Sequence, residues 1–313
     1  MHKIETQPSQ GLMNASFEID NPQIVNGCQT VNSIYSALKN VDPASLENEY
    51  KDTFVMLKIL EIDRDNSAED ILYRNIVKYN NSQNAIDEKT FVANTSEFRR
   101  IQTEFEKRGF LLLIKQSDKN AYSEKYKVVT PLKVANSERI SRFGLDDVKK
   151  ASDVFIPLEK LLQIINAFMQ GGHIAYRNKS NMLKFGSTEY NTGVNFLKNN
   201  TIDVLLDLYL LYKRAERTKK AKNDSRFPIP YYLIDGFARF ECGGRNSDLI
   251  LNALSDASKV DKIIKLYTMV TSAYTTEYFT QYGIDYGKMI KNTMDYSLFD
   301  KNRGICTVAI ESI

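Results

Sequence analysis

The stretch "NPQIVNGCQTVNSIYSALKNV", residues 21–41, changes its period half-way. Ile24 and Val25 end a short apolar run, and Asn26-Gly27 follows as a turn dipeptide that tolerates positive φ. From Cys28 onward, Val31, Ile34, Tyr35, Leu38 and Val41 recur at three and four residues, the stripe of an amphipathic helix. The reading is strand, tight turn, helix. The first turn of such a helix has backbone N–H groups without intrahelical partners, and its dipole favours anions there. The side chains of Asn26, Gln29 and Thr30 can equally well cap the turn. The stretch alone leaves both roles open.

Working outward, residues 1–15 read as a loose leader, and "SFEIDNPQIV" holds one or two short strands. "TFVMLKILEI", residues 53–62, is β-branched, aromatic and nearly all apolar, which predicts a buried strand. "SAEDILYRNIVKYNNS" follows as a helix with Ser67 as its expected N-cap. It dissolves into a polar loop over 80–87. A further helix is expected over 88–108, with Phe91, Phe98, Ile101 and Phe105 on one stripe. "GFLLLIKQ" is the next strand, and a short amphipathic helix lies near 131–140. The front half therefore predicts an α+β or α/β arrangement around a small mixed sheet. After Pro157 the pattern is mostly helical, including a long helix capped at Asn200 or Thr201. The expected domains are 1–155 and 156–313.

The composition is globular: 42% hydrophobic and 26% charged over 313 residues, enough for a substantial core. A net charge of +3 permits nucleic-acid contact only where charge clusters locally. Cys28, Cys242 and Cys306 lie far apart, so no zinc spacing or disulfide framework is implied. The polar start carries no signal-peptide core, and runs such as "FLLLI" are too short to span a bilayer. The expected location is the cytoplasm, with no membrane partner, metal or cofactor.

Catalytic constellations are thin. The chain has two histidines, His2 in the leader and His173 after two glycines in an expected loop. "DRDNSAEDILYR" starts like a calcium loop but has Ala68 and Arg74 where the EF-hand needs glycine and glutamate. Asp203 and Asp207, one helical turn apart, read as a solvated face or a shared metal site. Basic clusters are richer. Arg99, Arg100, Lys107 and Arg108 form one helix face, and Lys213, Arg214, Arg217, Lys219 and Lys220 crowd the end of the long helix. Either can track phosphates or simply be solvated. The segment "RNIVKYNNSQNAID" places Asn80, Asn81, Ser82, Gln83 and Asn84 after Arg74 and Lys78. Amides donate and accept at once, so this cluster can shape a turn or contact a phosphate, ribose or base edge.

"NPQIVNGCQTVNSIYSAL", then "VMLKILEI", then "NIVKYNNSQNAID" with Phe91 beyond it, together resemble the AIPR family, the abortive infection phage resistance proteins of bacteria. The resemblance covers residues 17 to about 115 and runs more loosely toward "FPIPYYLIDGFARF". Family members usually carry an "NNGI"-type motif before the "NGCQT" turn, so an N-terminally shortened member is expected. The arrangement is also similar to the "DGQHR" segment of DndB-like and ParB-like proteins, which contact DNA or nucleotides. Thr30 stands where that motif has its basic residue. The resemblance implies a role in phage defence. It also favours one shared site in which Asn26, Gln29 and Thr30 face Asn80, Ser82, Gln83 and Asn84, with Gly27, Arg74, Lys78 and Asn81 in the same segments; the two segments can equally hydrogen-bond to each other and fix the core. The expected partners are DNA or RNA, a nucleotide, or a phage or host protein. The alternatives to a binding module are a nuclease or nucleotide hydrolase activated on infection, and a protein-interaction scaffold.

Overall fold

The computed structural model describes residues 4–7, 16–19, 28–43, 45–46, 58–60, 62–63, 66–82, 96–221 and 229–312. The chain divides into two compact units, residues 1–87 and 88–313.

In the first unit, β1 (Ile4–Gln7) pairs antiparallel with β2 (Ser16–Ile19), with Ile4 opposite Ile19. The segment expected to be a loose leader thus supplies a strand, because pairing satisfies its backbone N–H and C=O groups. Helix α1 (Cys28–Leu38) begins where the sequence changes period. Its apolar stripe is open, however: Val31 is 45%, Ile34 40% and Tyr35 67% exposed. The buried strand expected over 53–62 is not found at its described residues. Residues 58–60 have irregular backbone, and Ile59 and Leu60 are exposed. Apolar content alone does not make a strand; it needs a neighbour to pair with, and no described strand runs beside it.

Helix α2 (Ser67–Ser82) starts with Glu69 and Asp70 in its first turn, where the helix dipole favours acids. Its cap is Asn66 rather than Ser67: Asn66 Oδ1 accepts from the Ala68 N–H at 3.1 Å. The helix also continues through Asn80, Asn81 and Ser82, which the sequence places in a loop.

The second unit is mostly helical around one short parallel ladder. Helix α3 (Ser96–Lys107) buries Phe98, Ile101 and Phe105 at its expected stripe; Phe91 lies outside the described residues. Strand β3 (Leu111–Leu113) pairs in parallel with β4 (Phe155–Pro157), Leu111 opposite Phe155. The crossover between them contains α4 (Gln116–Lys125) and α5 (Thr130–Arg142). The expected domain boundary at 155 falls at this strand pair.

Beyond β4 come α6 (Leu158–Met169), α7 (Gly172–Arg177), α8 (Thr188–Asn199), α9 (Ile202–Ala221) and α10 (Ile229–Gly236). They are followed by α11 (Ile250–Ala253), α12 (Ala257–Tyr282), α13 (Tyr286–Met289) and α14 (Tyr296–Glu311). Helix α9 is the hub. Thr201 caps it, accepting from the Val204 N–H at 3.4 Å. Residues 204–212 are buried without a break, as in a helix enclosed on all sides. Helix α10 runs into a π turn, Phe237–Glu241. Gly243, Gly244 and Arg245 then all take positive φ, and Arg245, at 83°, is a side-chain-bearing residue in a region that disfavours one. Helix α13 ends at Met289, and Asp295 caps α14 by accepting from the Leu298 N–H at 3.0 Å. Among the described residues, no helix is long and apolar enough to cross a membrane.

Candidate functional site

The amide-rich segments both belong to the first unit. Gln29 and Thr30 occupy the first turn of α1, whose first turn holds no acidic residue. Its positive end is therefore not neutralised from within the helix. Arg74, Lys78, Asn80, Asn81 and Ser82 lie on α2, the last three at its end. The side chains of these residues, and all of Asn26, Gly27, Gln83 and Asn84, lie outside the described residues.

The expected basic faces are exposed or half-buried at their described residues, and several of their cations are paired. Arg99 and Arg100 are exposed. Lys107 reaches Glu104 at 2.6 Å yet stays mostly solvated. Arg108 instead turns inward: Nε donates to Asp203 Oδ1 at 3.0 Å, and Nη1 to Glu104 Oε2 at 3.0 Å. On α9, Arg214 donates to the Gly144 carbonyl at 2.8 Å and pairs with Asp261. Arg217 donates to the same carbonyl at 3.2 Å and pairs with Asp146 at 3.0 Å. These arginines clamp the turn after α5. Lys213 stands 3.9 Å from Glu216, Lys219 is half-buried, and the side chain of Lys220 lies outside the described residues. Arg108, Arg214 and Arg217 are thus each paired with an acid, and Arg217 remains exposed. Their acids stand on other elements, 95 residues away in the case of Arg108 and Asp203, where helix-face reasoning cannot see them.

Asp203 and Asp207 are neither a solvated face nor a metal pair. Asp207 is fully buried, with Oδ1 held by Arg142 Nη2 at 2.5 Å and Arg139 Nε at 3.2 Å. Asp203 Oδ1 accepts from Arg139 Nη2 at 2.7 Å as well as from Arg108. Burial pushes the Asp207 carboxyl up to about 6 against the pull of both arginines. For the more exposed Asp203 the arginine hydrogen bonds outweigh burial and hold the carboxyl below its ordinary value.

A second buried polar network was not legible in the sequence. Asp235, at the end of α10, has no exposed surface. Its Oδ2 accepts from the Gly172 N–H at 2.8 Å, and its Oδ1 from Arg245 Nη2 at 2.6 Å and the Tyr296 hydroxyl at 3.0 Å. Arg245 also donates to the carbonyls of Ala167 and Phe168, which accounts for its left-handed backbone being held in place. His173, expected in a loop, sits buried in the first turn of α7, with Nδ1 lacking a partner among the described residues. Burial lowers its pKa, and the nearby Asp235 only partly offsets this. One signal did point here: a lone carboxylate inside the apolar run "YYLIDGF" must find partners if that run is buried. Burial raises the Cys242 thiol to about 12, so it is not a ready nucleophile. Among the described residues, no group of three or more His, Cys, Asp or Glu is placed to hold a metal.

A family model described as AIPR protein matches residues 1–309, nearly the whole chain. The chain belongs to the AIPR family. Membership implies abortive infection, a defence against phage, as the resemblance of the "NGCQT" and "NSQN" segments suggested. The match does not bear on the expected N-terminal shortening of this AIPR protein. No curated protein and no solved structure matches it.

Proposed function

We propose that this AIPR protein serves phage defence by binding nucleic acid or a nucleotide through segments 26–30 and 80–84, in the cytoplasm. The observation that carries this reading is the start of α1 directly after Asn26-Gly27, with no acid in its first turn. The N–H groups of a first helical turn have no intrahelical partners, and with no acid in that turn the helix dipole favours a phosphate there. The amides Gln29, Asn80 and Asn81, at the ends of α1 and α2, supply donors and acceptors for the rest of the ligand. The likeness to ParB-like and DndB-like proteins belongs to the same proposal. Because Thr30 replaces the basic residue of that motif, backbone N–H groups and amides would make the contacts. Arg99 and Arg100, exposed on α3, are the cations still open to a backbone. Labelled duplex DNA, single-stranded DNA and RNA titrated across a salt series test the reading. Gln29→Ala and Asn81→Ala should each weaken binding in a folded protein, and unchanged affinity in both would remove the amide site.

The scaffold reading has one observation in its favour. Val31, Ile34 and Tyr35 on α1 and Ile71 and Leu72 on α2 are all exposed, in a unit where no described residue is buried. Tyr35→Asp should then abolish phage protection without altering nucleic-acid affinity. A loss of both, or of neither, would speak against it.

A further inference from the structure

Asp203 and Asp207 do more than neutralise charge. Between them they hold one edge of three guanidinium groups: Arg108 and Arg139 at Asp203, Arg139 and Arg142 at Asp207. A guanidinium carries five N–H donors in a rigid fork, so the N–H groups that the carboxylates do not grip are left oriented; Arg108 is gripped twice, by Asp203 at Nε and by Glu104 at Nη1, and keeps only Nη2. Among the described residues, Arg108 Nη2, Arg139 Nη1 and Arg142 Nη1 have no partner. Arg142 Nε is buried without one as well. A cleft of about 200 Å³ opens beside them, lined by Arg108, Ala135, Glu138, Arg139, Arg142 and Asp203.

We infer that this cleft binds a single phosphate group. Its donors are the unpartnered N–H groups of three arginines whose charge Asp203, Asp207 and Glu104 already offset, with Glu138 also in the lining, and the guanidinium forks match the oxygen spacing of a phosphate. Fixing the arginines in advance by ion pairs removes most of the ordering cost that free arginines would carry on binding. The small volume suits one phosphate group rather than an extended strand. The site stands in the second unit and uses none of the amide segments, so it holds or fails independently of the function proposed above.

Two exposed positions on α5 allow a test that leaves every ion pair intact. Ala135→Glu adds a negative charge to the lining, and Glu138→Gln removes one. Inorganic phosphate titrated calorimetrically into the full chain, at ionic strength matched with chloride, should bind saturably. Ala135→Glu should weaken it about tenfold, and Glu138→Gln should tighten it about threefold, with unchanged melting temperatures. Absence of saturable binding, or equal affinity in all three proteins, would overturn the inference. Thymidine 5′-monophosphate and a 5′-phosphorylated oligothymidylate, each set against its unphosphorylated form, distinguish the sources. The tighter ligand identifies a free nucleotide or a nucleic-acid end. Equal binding with and without the phosphate would also overturn the inference.

Discussion

Replacing Asp235 with alanine is the sharpest stability test of the second unit. The carboxylate is fully buried and receives three donors: the Gly172 N–H, the Arg245 guanidinium and the Tyr296 hydroxyl. Its removal strands a cation whose side chain is only 16% exposed, a buried N–H and a hydroxyl. Breaking a buried pair by deleting one partner costs about 3–5 kcal/mol, because the remaining charge has lost its compensation. For a domain of this size each kcal/mol moves the melting temperature by roughly 2–4 °C, so a fall of about 6–20 °C is expected. Asp235→Asn keeps one acceptor oxygen, enough for the Gly172 N–H at the Oδ2 position, but turns an NH2 donor toward Arg245 in place of Oδ1, so it should cost at least the roughly 1.5–3 kcal/mol of one charged hydrogen bond and less than Asp235→Ala. Near-UV circular dichroism can follow the melt, since the chain has 18 tyrosines and no tryptophan, and Tyr232, Tyr267 and Tyr274 are deeply buried. A fall of less than about 3 °C for Asp235→Ala would refute the network as a fastening of α7, α10 and α14.

Other outcomes follow from the same structure. His173 is buried with a lowered pKa, so the unfolded chain takes up a proton at a higher pH than the folded one. Its contribution is intact above the unfolded value near 6.5 and is lost as pH falls through the folded value. Asp207 acts in the opposite sense, since its raised carboxyl favours the folded state as pH falls below about 6. The difference in unfolding free energy between wild type and His173→Gln, measured from pH 7.5 to 5, isolates the histidine: the wild type should lose more stability over that range. Gly109 has φ +74°, and a Cβ there would stand 2.4 Å from the Leu132 carbonyl oxygen. Gly109→Ala should therefore cost about 2 kcal/mol or more in a denaturant titration, whereas Gly186→Ala, with open space around it, should cost only its backbone strain of about 1 kcal/mol.

The helices were the most legible part of this fold. The periodicity from Cys28, the cap at Thr201 and the stripe of Phe98, Ile101 and Phe105 are all local signals, and local hydrogen bonding decides them. At its described residues, 58–60 and 62, the strand expected over 53–62 is absent, since apolar composition says nothing about a pairing partner. The pairing of the charges was not legible, because Asp146, Asp203 and Asp261 reach these arginines from other elements, at separations that helix-face reasoning cannot see. Arg139 and Arg142, which line the cleft, lie in a helix the sequence identified but with no spacing that marks them as a site. The family was legible from two short polar motifs, since their order and chemistry carry information that composition does not.

Segments 26–30 and 80–84 are proposed to form a phosphate-seeking site. Fluorescence anisotropy of labelled DNA and RNA with the full chain, from low to physiological salt, tests it most directly. The account predicts affinity falling linearly with log salt, and a loss of about tenfold or more in the Gln29→Ala, Asn81→Ala double variant at an unchanged melting temperature. No binding at low salt, or equal binding by the double variant, would contradict it.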